Sequence, residues 1–184
     1  MKVRYINHKA PVIIGDYPYA DAFNEEVLSL LESGRYEHVG KTNVKAFIHT
    51  EWNWEPNNIK FRNLKAYIRE EIERYYKPGA MITVTAKTRK RLQCYNFWGN
   101  VYKKGDYTQS HNHRPYDWSF AYFVKAKWFY SPLVFTDSEK KVRPKEGRFV
   151  AFPAFMNHHV PEHRYSNTRI TVSGNYQLDK NIEE

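Results

Sequence analysis

Five of the eight histidines lie between Ser110 and His163, in two groups: His111 with His113, and His158 with His159, followed by His163. In an extended segment side chains alternate faces. His111 and His113 therefore point the same way, about 7 Å apart along the chain, with Asn112 turned away. Two imidazoles so placed can turn their nitrogens onto one ion, filling two adjacent coordination positions and leaving the opposite side open. The second His group, 45 residues on, can supply a third ligand from another strand end. A lone His-x-His is a common accident of polar loops, whereas two His groups at strand ends of a β-rich chain point to a metal. Structural zinc is disfavoured, because Cys94 is the only thiol. Intermediate ligands with open positions suit non-haem ferrous iron. Asp106 and Asp117 are the nearby acids able to complete such a site.

A second signal lies in Arg169-Ile170-Thr171-Val172-Ser173-Gly174-Asn175. Arg169, Thr171, Ser173 and Asn175 share one face, with Ile170 and Val172 on the other. Alternation alone makes this an ordinary outer strand with a solvated polar face. If that face instead looks into a barrel, Arg169 is a buried cation in need of a carboxylate partner. A diacid ligand would provide one through a bidentate, charge-assisted pair.

Two helices and a series of strands must position these groups. One helix is expected over Asp21–Ser33, capped by Asp21, with Phe23, Val27, Leu30 and Leu31 as its apolar stripe and Gly34 as its stop. Another is expected over Asn57–Tyr76, with Phe61, Leu64, Ile68, Ile72 and Tyr75 inward and Lys60, Arg62, Lys65 and Arg69 outward. Strands are expected at Met81–Ala86, Leu92–Tyr102, Ser119–Ala126, Leu133–Thr136, Arg148–Phe152 and Arg169–Leu178, with earlier short ones near Lys2–Ile6 and Asn43–Thr50. Helices followed by many short strands read as a mainly β (α+β) sandwich or jelly roll with helices packed outside. The 184 residues are expected to form one domain, in which 1–80 are a helical support region and 81–184 carry the core strands and the metal site.

Composition narrows the class. Hydrophobic residues make up 41% and aromatics 17% of the chain, too many for a disordered one. No apolar run is long enough to span a membrane, and none follows the N-terminal Met1-Lys2-Val3-Arg4 as a secretion signal would, so a cytoplasmic protein is expected. The net charge is +9, and residues 57–104 hold 12 basic and 3 acidic side chains, including the run Lys87, Arg89, Lys90, Arg91. That stretch is either a solvated helix face followed by a basic turn or a contact for a polyanion such as nucleic acid.

Several segments, taken in order, together resemble a known family. Asn100-Val101-Tyr102-Lys103-Lys104-Gly105-Asp106, His111-Asn112-His113 and Trp118-Ser119-Phe120-Ala121-Tyr122-Phe123-Val124 are similar to the iron-binding half of 2-oxoglutarate/iron(II) dioxygenases related to prolyl hydroxylases. The run from Pro144 to Val160 resembles that family's P-x-x-G-x-x-x-x-F-P-S-x-x-x-H-x-V segment, and Arg169-Ile170-Thr171 its Arg-x-Ser/Thr segment. Thr42 to Trp52 resembles phage-type members. The likeness covers about Asn96 to Leu178 well and the first half loosely.

The resemblance implies a double-stranded β-helix and an Fe(II)- and 2-oxoglutarate-dependent oxygenase. It implies iron on His111, His113 and His158, with Arg169, Thr171 and Tyr102 holding the distal carboxylate of 2-oxoglutarate. His159 is the alternative third ligand; the motif's spacing from Phe152 selects His158. Asn100, Trp118, Tyr122 and Asn175 are the expected substrate-pocket residues, within a dry aromatic wall that also draws on Trp98, Phe123 and Trp128. O₂ and 2-oxoglutarate are the implied partners, and the hydroxylated substrate, a protein or nucleic-acid-associated residue among the candidates, is not readable. The family's commoner pattern is His-x-Asp. With His113 in the acid's place, three neutral ligands leave the iron one more net positive charge. That change tunes redox behaviour, selects another metal or marks lost turnover. The competing readings are a non-catalytic jelly-roll module that binds metal or 2-oxoglutarate, and a basic nucleic-acid-binding protein.

Overall fold

Arg169–Leu178 form the strand around which the larger of two sheets is built. The computed structural model describes residues 10–40, 42–75 and 92–178. Its elements begin with β1 (Ile13–Asp16), α1 (Ala20–Glu32), β2 (Val44–Lys45), β3 (Ile48–His49), α2 (Ile59–Tyr75) and β4 (Leu92–Tyr102). They continue with β5 (Tyr107–His111), β6 (Trp118–Lys125), β7 (Leu133–Phe135), β8 (Lys140–Val142), β9 (Arg148–Pro153), β10 (His158–Val160) and β11 (Arg169–Leu178). The larger sheet runs β1-β9-β6-β11-β4-β3 and the smaller β2-β5-β10-β7-β8, with antiparallel neighbours throughout. The architecture is the expected mainly β jelly roll, a double-stranded β-helix with two N-terminal helices packed outside.

Around β6 and β11 the larger sheet is covered on both faces. On one side Ile170, Val172 and Tyr176 of β11 join Phe120 and Tyr122 of β6 beneath the helices. Phe23, Val27 and Leu30 of α1 and Phe61, Leu64, Ile68 and Ile72 of α2 supply the covering stripe. Each such side chain contributes on the order of 1.5–3 kcal/mol by leaving water. The opposite face of β11 therefore has to carry the polar residues, and it turns toward the smaller sheet. Arg169, Thr171 and Asn175 are buried there. The solvated outer strand suggested by alternation is thereby corrected: the helices occupy the apolar side, so the polar side looks inward. Gly174 permits this packing, since a Cβ there would stand 2.6 Å from both the Asn96 carbonyl oxygen and the Phe120 ring.

Other expectations are adjusted. Asp21 sits in the first turn of α1 rather than at its cap, where Tyr19 makes no side-chain cap bond. Gly34 does end that helix, at φ +71°. Asn58 receives the Lys60 N–H on its Oδ1 at the start of α2, and Tyr75 is exposed rather than on the inward stripe. The strand expected at Asn43–Thr50 is two short ones, β2 and β3, in different sheets. β1 and β8 were not expected as strands, and β5 and β10, expected only in that the His groups were placed at strand ends, were given no bounds. The expected strands Lys2–Ile6 and Met81–Ala86 and the run Lys87–Arg91 lie outside the described residues. Within 57–104, Lys60 pairs with Glu26, Arg69 with Glu70 and Arg74 with Glu71, so local acids neutralise part of the helix face and the polyanion contact gains no support. Among the described residues no helix is long and apolar enough to cross a membrane.

Candidate metal centre

The two His groups meet because β10 lies between β5 and β7, with His158 directly opposite His111. Val160 faces Thr108 two residues along β10 but three along β5, so β5 carries one extra residue. That bulge resets the alternation and lets both Thr108 and His111 line the interior. β5 ends at His111, and His113 stands in the following turn rather than in a strand, anchored where its N–H donates to the Ala154 carbonyl at 2.8 Å. The ring centroids are 4.8 Å apart for His111–His113, 4.4 Å for His111–His158 and 5.0 Å for His113–His158. One ligand nitrogen from each ring lies within 4.8 Å of the others, a spacing one ion can bridge.

The backbone fixes which nitrogens are available. His111 Nδ1 is 2.8 Å from the Gln109 carbonyl and His158 Nδ1 is 3.0 Å from that of Met156. A carbonyl only accepts, so each Nδ1 carries the proton and each Nε2 keeps its lone pair for a metal. Burial, reinforced by the neighbouring imidazoles, pushes His113 down to about 2 and His158 to about 3, and burial also lowers His111. All three are thus neutral at physiological pH and able to ligate a metal. His159 faces away, its Nδ1 bonded to Thr136 Oγ1 at 3.0 Å. His163 is buried elsewhere, donating from Nε2 to the Asn167 carbonyl beside Tyr130 and Tyr165.

Neither nearby acid joins the group. Asp106 accepts the N–H groups of Phe47 and Lys103, and Asp117 accepts that of Leu178.

A narrow cavity runs inward from the triad to Arg169, past Asn100, Tyr102, Thr108 and Thr171. Arg169 is 1% exposed, opposite Tyr102 on β4, and its Nε and Nη1 are buried without a hydrogen-bond partner. Its guanidinium carbon lies 4.9 Å from the Tyr102 ring centre and 5.4 Å from that of Phe123. Among the described residues no carboxylate pairs with it. An unpaired buried cation costs several kcal/mol, so an anion at this end of the cavity would be strongly favoured.

The remaining expected pocket residues divide. Asn100 lines the inner cavity, and Asn175 lines an outer cleft. Tyr122 and Trp118 do neither. They sit on the helix side of β6, where Tyr122 packs edge-on to Tyr17 and Phe23 and donates to Asn24 Oδ1. Strand parity explains this correction, since Ser119, Ala121 and Phe123 take the inward positions. Trp128 is exposed and forms no wall, while Trp98 does line the cavity.

Two neighbours of the site escaped the sequence reading. Thr108 bonds the Tyr102 hydroxyl at 2.8 Å, and buried His49 on β3 bonds Asn100 Oδ1 through Nδ1 at 2.6 Å. That contact makes His49 Nδ1 the donor and leaves the Asn100 Nδ2 hydrogens for the cavity. Only a long-range strand pairing brings His49 to Asn100, and no local signal encodes it.

His111 and His113 also border the outer cleft, of about 480 Å³, so the triad stands between two spaces: one ending on Arg169, the other opening outward.

No protein-family model matches the sequence, and no curated protein matches it. Solved structures do share the fold. The viral collagen prolyl hydroxylase of Paramecium Bursaria Chlorella virus-1, in its 2-oxoglutarate complex, superposes with a TM-score of 0.68 at 13% identity, over 91% of this chain and 96% of its own. A Pseudomonas putida prolyl-4-hydroxylase gives 0.68 at 13% identity, over 92% and 94%. HygX from Streptomyces hygroscopicus, with nickel and 2-oxoglutarate bound, gives 0.66 at 10% identity, over 93% and 84%. At these identities the likeness establishes the fold.

Proposed function

We propose that this protein is an Fe(II)- and 2-oxoglutarate-dependent oxygenase. The observation that carries the reading is the pairing, across one narrow cavity, of three neutral imidazoles with a buried arginine that lacks an acid. The triad suits a divalent metal, and Arg169 suits the far carboxylate of a diacid spanning the cavity. Prolyl hydroxylases of the same fold, and proteins of that fold with 2-oxoglutarate bound, support the same assignment.

In this reading His111, His113 and His158 present Nε2 or the equivalent free nitrogen to iron from one side. Arg169 anchors the distal carboxylate of 2-oxoglutarate, with Tyr102 and Thr171 beside it and Thr108 orienting the Tyr102 hydroxyl. Bound iron and 2-oxoglutarate supply the oxidising chemistry: O₂ is consumed, 2-oxoglutarate becomes succinate and CO₂, and a substrate C–H bond becomes C–OH. Trp98 and Phe152 flank the centre and keep water from it; the Phe152 ring centre is 4.7 Å from that of His158. The test is succinate formation from 2-oxoglutarate under air with ferrous iron. The reading predicts iron-dependent succinate that Arg169→Met abolishes. Metal and 2-oxoglutarate binding without any succinate or O₂ uptake would make the protein a non-catalytic module instead.

A further inference from the structure

Several acceptors that line the outer cleft are already committed to the protein. Ser119 Oγ donates to Asn175 Oδ1 at 2.8 Å, and Asn175 Nδ2 donates to Asn96 Oδ1 at 3.4 Å. This relay commits the Asn96 acceptor to the protein and leaves its Nδ2 hydrogens for the cleft that Asn96 lines. Asn112 is committed on both sides: its Oδ1 takes the Arg114 N–H and its Nδ2 donates to Asn157. Arg114 follows His113 directly, borders the cleft, is exposed, and forms no ion pair among the described residues. Trp52, 40% exposed, edges the same space with an indole N–H that can only donate. No Asp or Glu lines the cleft among the described residues. Arg114, Asn96 Nδ2 and Trp52 Nε1 therefore offer free donors, Asn43 and Tyr116 can donate or accept, and the one full charge is positive.

From this we infer that the primary substrate is a small anionic molecule, its carboxylate or phosphate held by Arg114 and Asn96 and a flat portion laid on Trp52. A guanidinium offers paired N–H groups to an oxyanion, and the indole face offers area without charge. A cleft of about 480 Å³ lies within the range of small-ligand sites. A cationic substrate would meet Arg114 with no acid to offset it. The word substrate rests on the oxygenase reading; the anion site rests on the cleft alone.

Four probes sharing one ring separate the head groups: benzoate, phenyl phosphate, benzyl alcohol and benzylamine. Each is titrated into the protein while NMR follows the side-chain N–H signals of Asn96, Arg114 and Trp52. The expected result is that benzoate and phenyl phosphate shift these signals and benzylamine does not, the stronger of the two anions ranking carboxylate against phosphate. Arg114→Gln should weaken the anions roughly tenfold and leave benzyl alcohol unaffected. Asn96→Asp keeps the acceptor that Asn175 uses and turns the donor into a carboxylate oxygen; with the fold's spectrum intact, it should abolish anion binding. Benzylamine or benzyl alcohol binding as well as the anions, no binding by any probe, or anion affinity unchanged in both variants would overturn the proposal. Loss of succinate formation with these shifts intact would sink the oxygenase reading and leave the anion site standing.

Discussion

Arg169 and the three imidazoles each place a measurable demand on the fold. The guanidinium is buried with two nitrogens unpartnered, so Arg169→Met should raise the stability of the ligand-free protein by about 1–3 kcal/mol while abolishing the thermal shift produced by 2-oxoglutarate. Denaturant melts with and without 2-oxoglutarate check both halves. His113 and His158 are held neutral by burial at about 2 and about 3, against about 6.5 in an unfolded chain. Below pH 6.5 the unfolded chain therefore binds more protons than the folded one, and stability must fall as pH drops from about 6.5 toward 3. The metal-free protein should show that slope in urea melts, and His113→Gln should flatten it. For metal binding, His158→Ala should cost at least about tenfold in affinity for Ni(II), with His159→Ala without effect, as read by calorimetry. At this scale the sequence was informative about identities, less so about directions. His158 was separated from His159 by family spacing, and parity on an unexpectedly two-sided β6 sent Tyr122 and Trp118 to the wrong face.

At the scale of elements, function depends on irregularities that hydrophobic patterning does not encode. The extra residue in β5 turns Thr108 and His111 to one side, where strict alternation would oppose them. Tyr107–His111 are mostly polar residues, so although the His pair suggested a strand end, neither the strand's bounds nor its bulge was legible there. The long apolar strands β4, β6, β9 and β11 were legible, as were both helical stripes, because each has enough residues for its period to show. Three-residue strands such as β10 have no period and exist only through their partners. Gly174 belongs to this scale too. Gly174→Ala would drive a Cβ into the Asn96 carbonyl and the Phe120 ring and should destabilise the fold by about 1–3 kcal/mol in denaturant unfolding. Since Asn96 also borders the outer cleft, the same substitution should perturb the Asn96 side-chain amide signal before it perturbs the triad.

Across the whole molecule, the polar side of β11 ends up between the two sheets because helices have claimed the apolar side of the larger one, while Phe123, Leu133, Phe135, Val150 and Phe152 make the rest of that interior apolar. Alternation in β11 could not reveal this: its period is correct, but which face is wet depends on what α1 and α2 cover. The result is a triad with one space on each side, an inner cavity ending at Arg169 and an outer cleft bordered by Arg114. Charge is distributed to match, with both spaces offering cations and neither lined by a carboxylate among the described residues. The central claim is that one metal and one diacid fill the inner side together. Anomalous diffraction from crystals grown without oxygen in Fe(II) and 2-oxoglutarate tests it directly. The account predicts an iron peak about 2.1 Å from one nitrogen each of His111, His113 and His158, with a carboxylate of 2-oxoglutarate on Arg169. Iron bound elsewhere, or 2-oxoglutarate density away from Arg169, would contradict it.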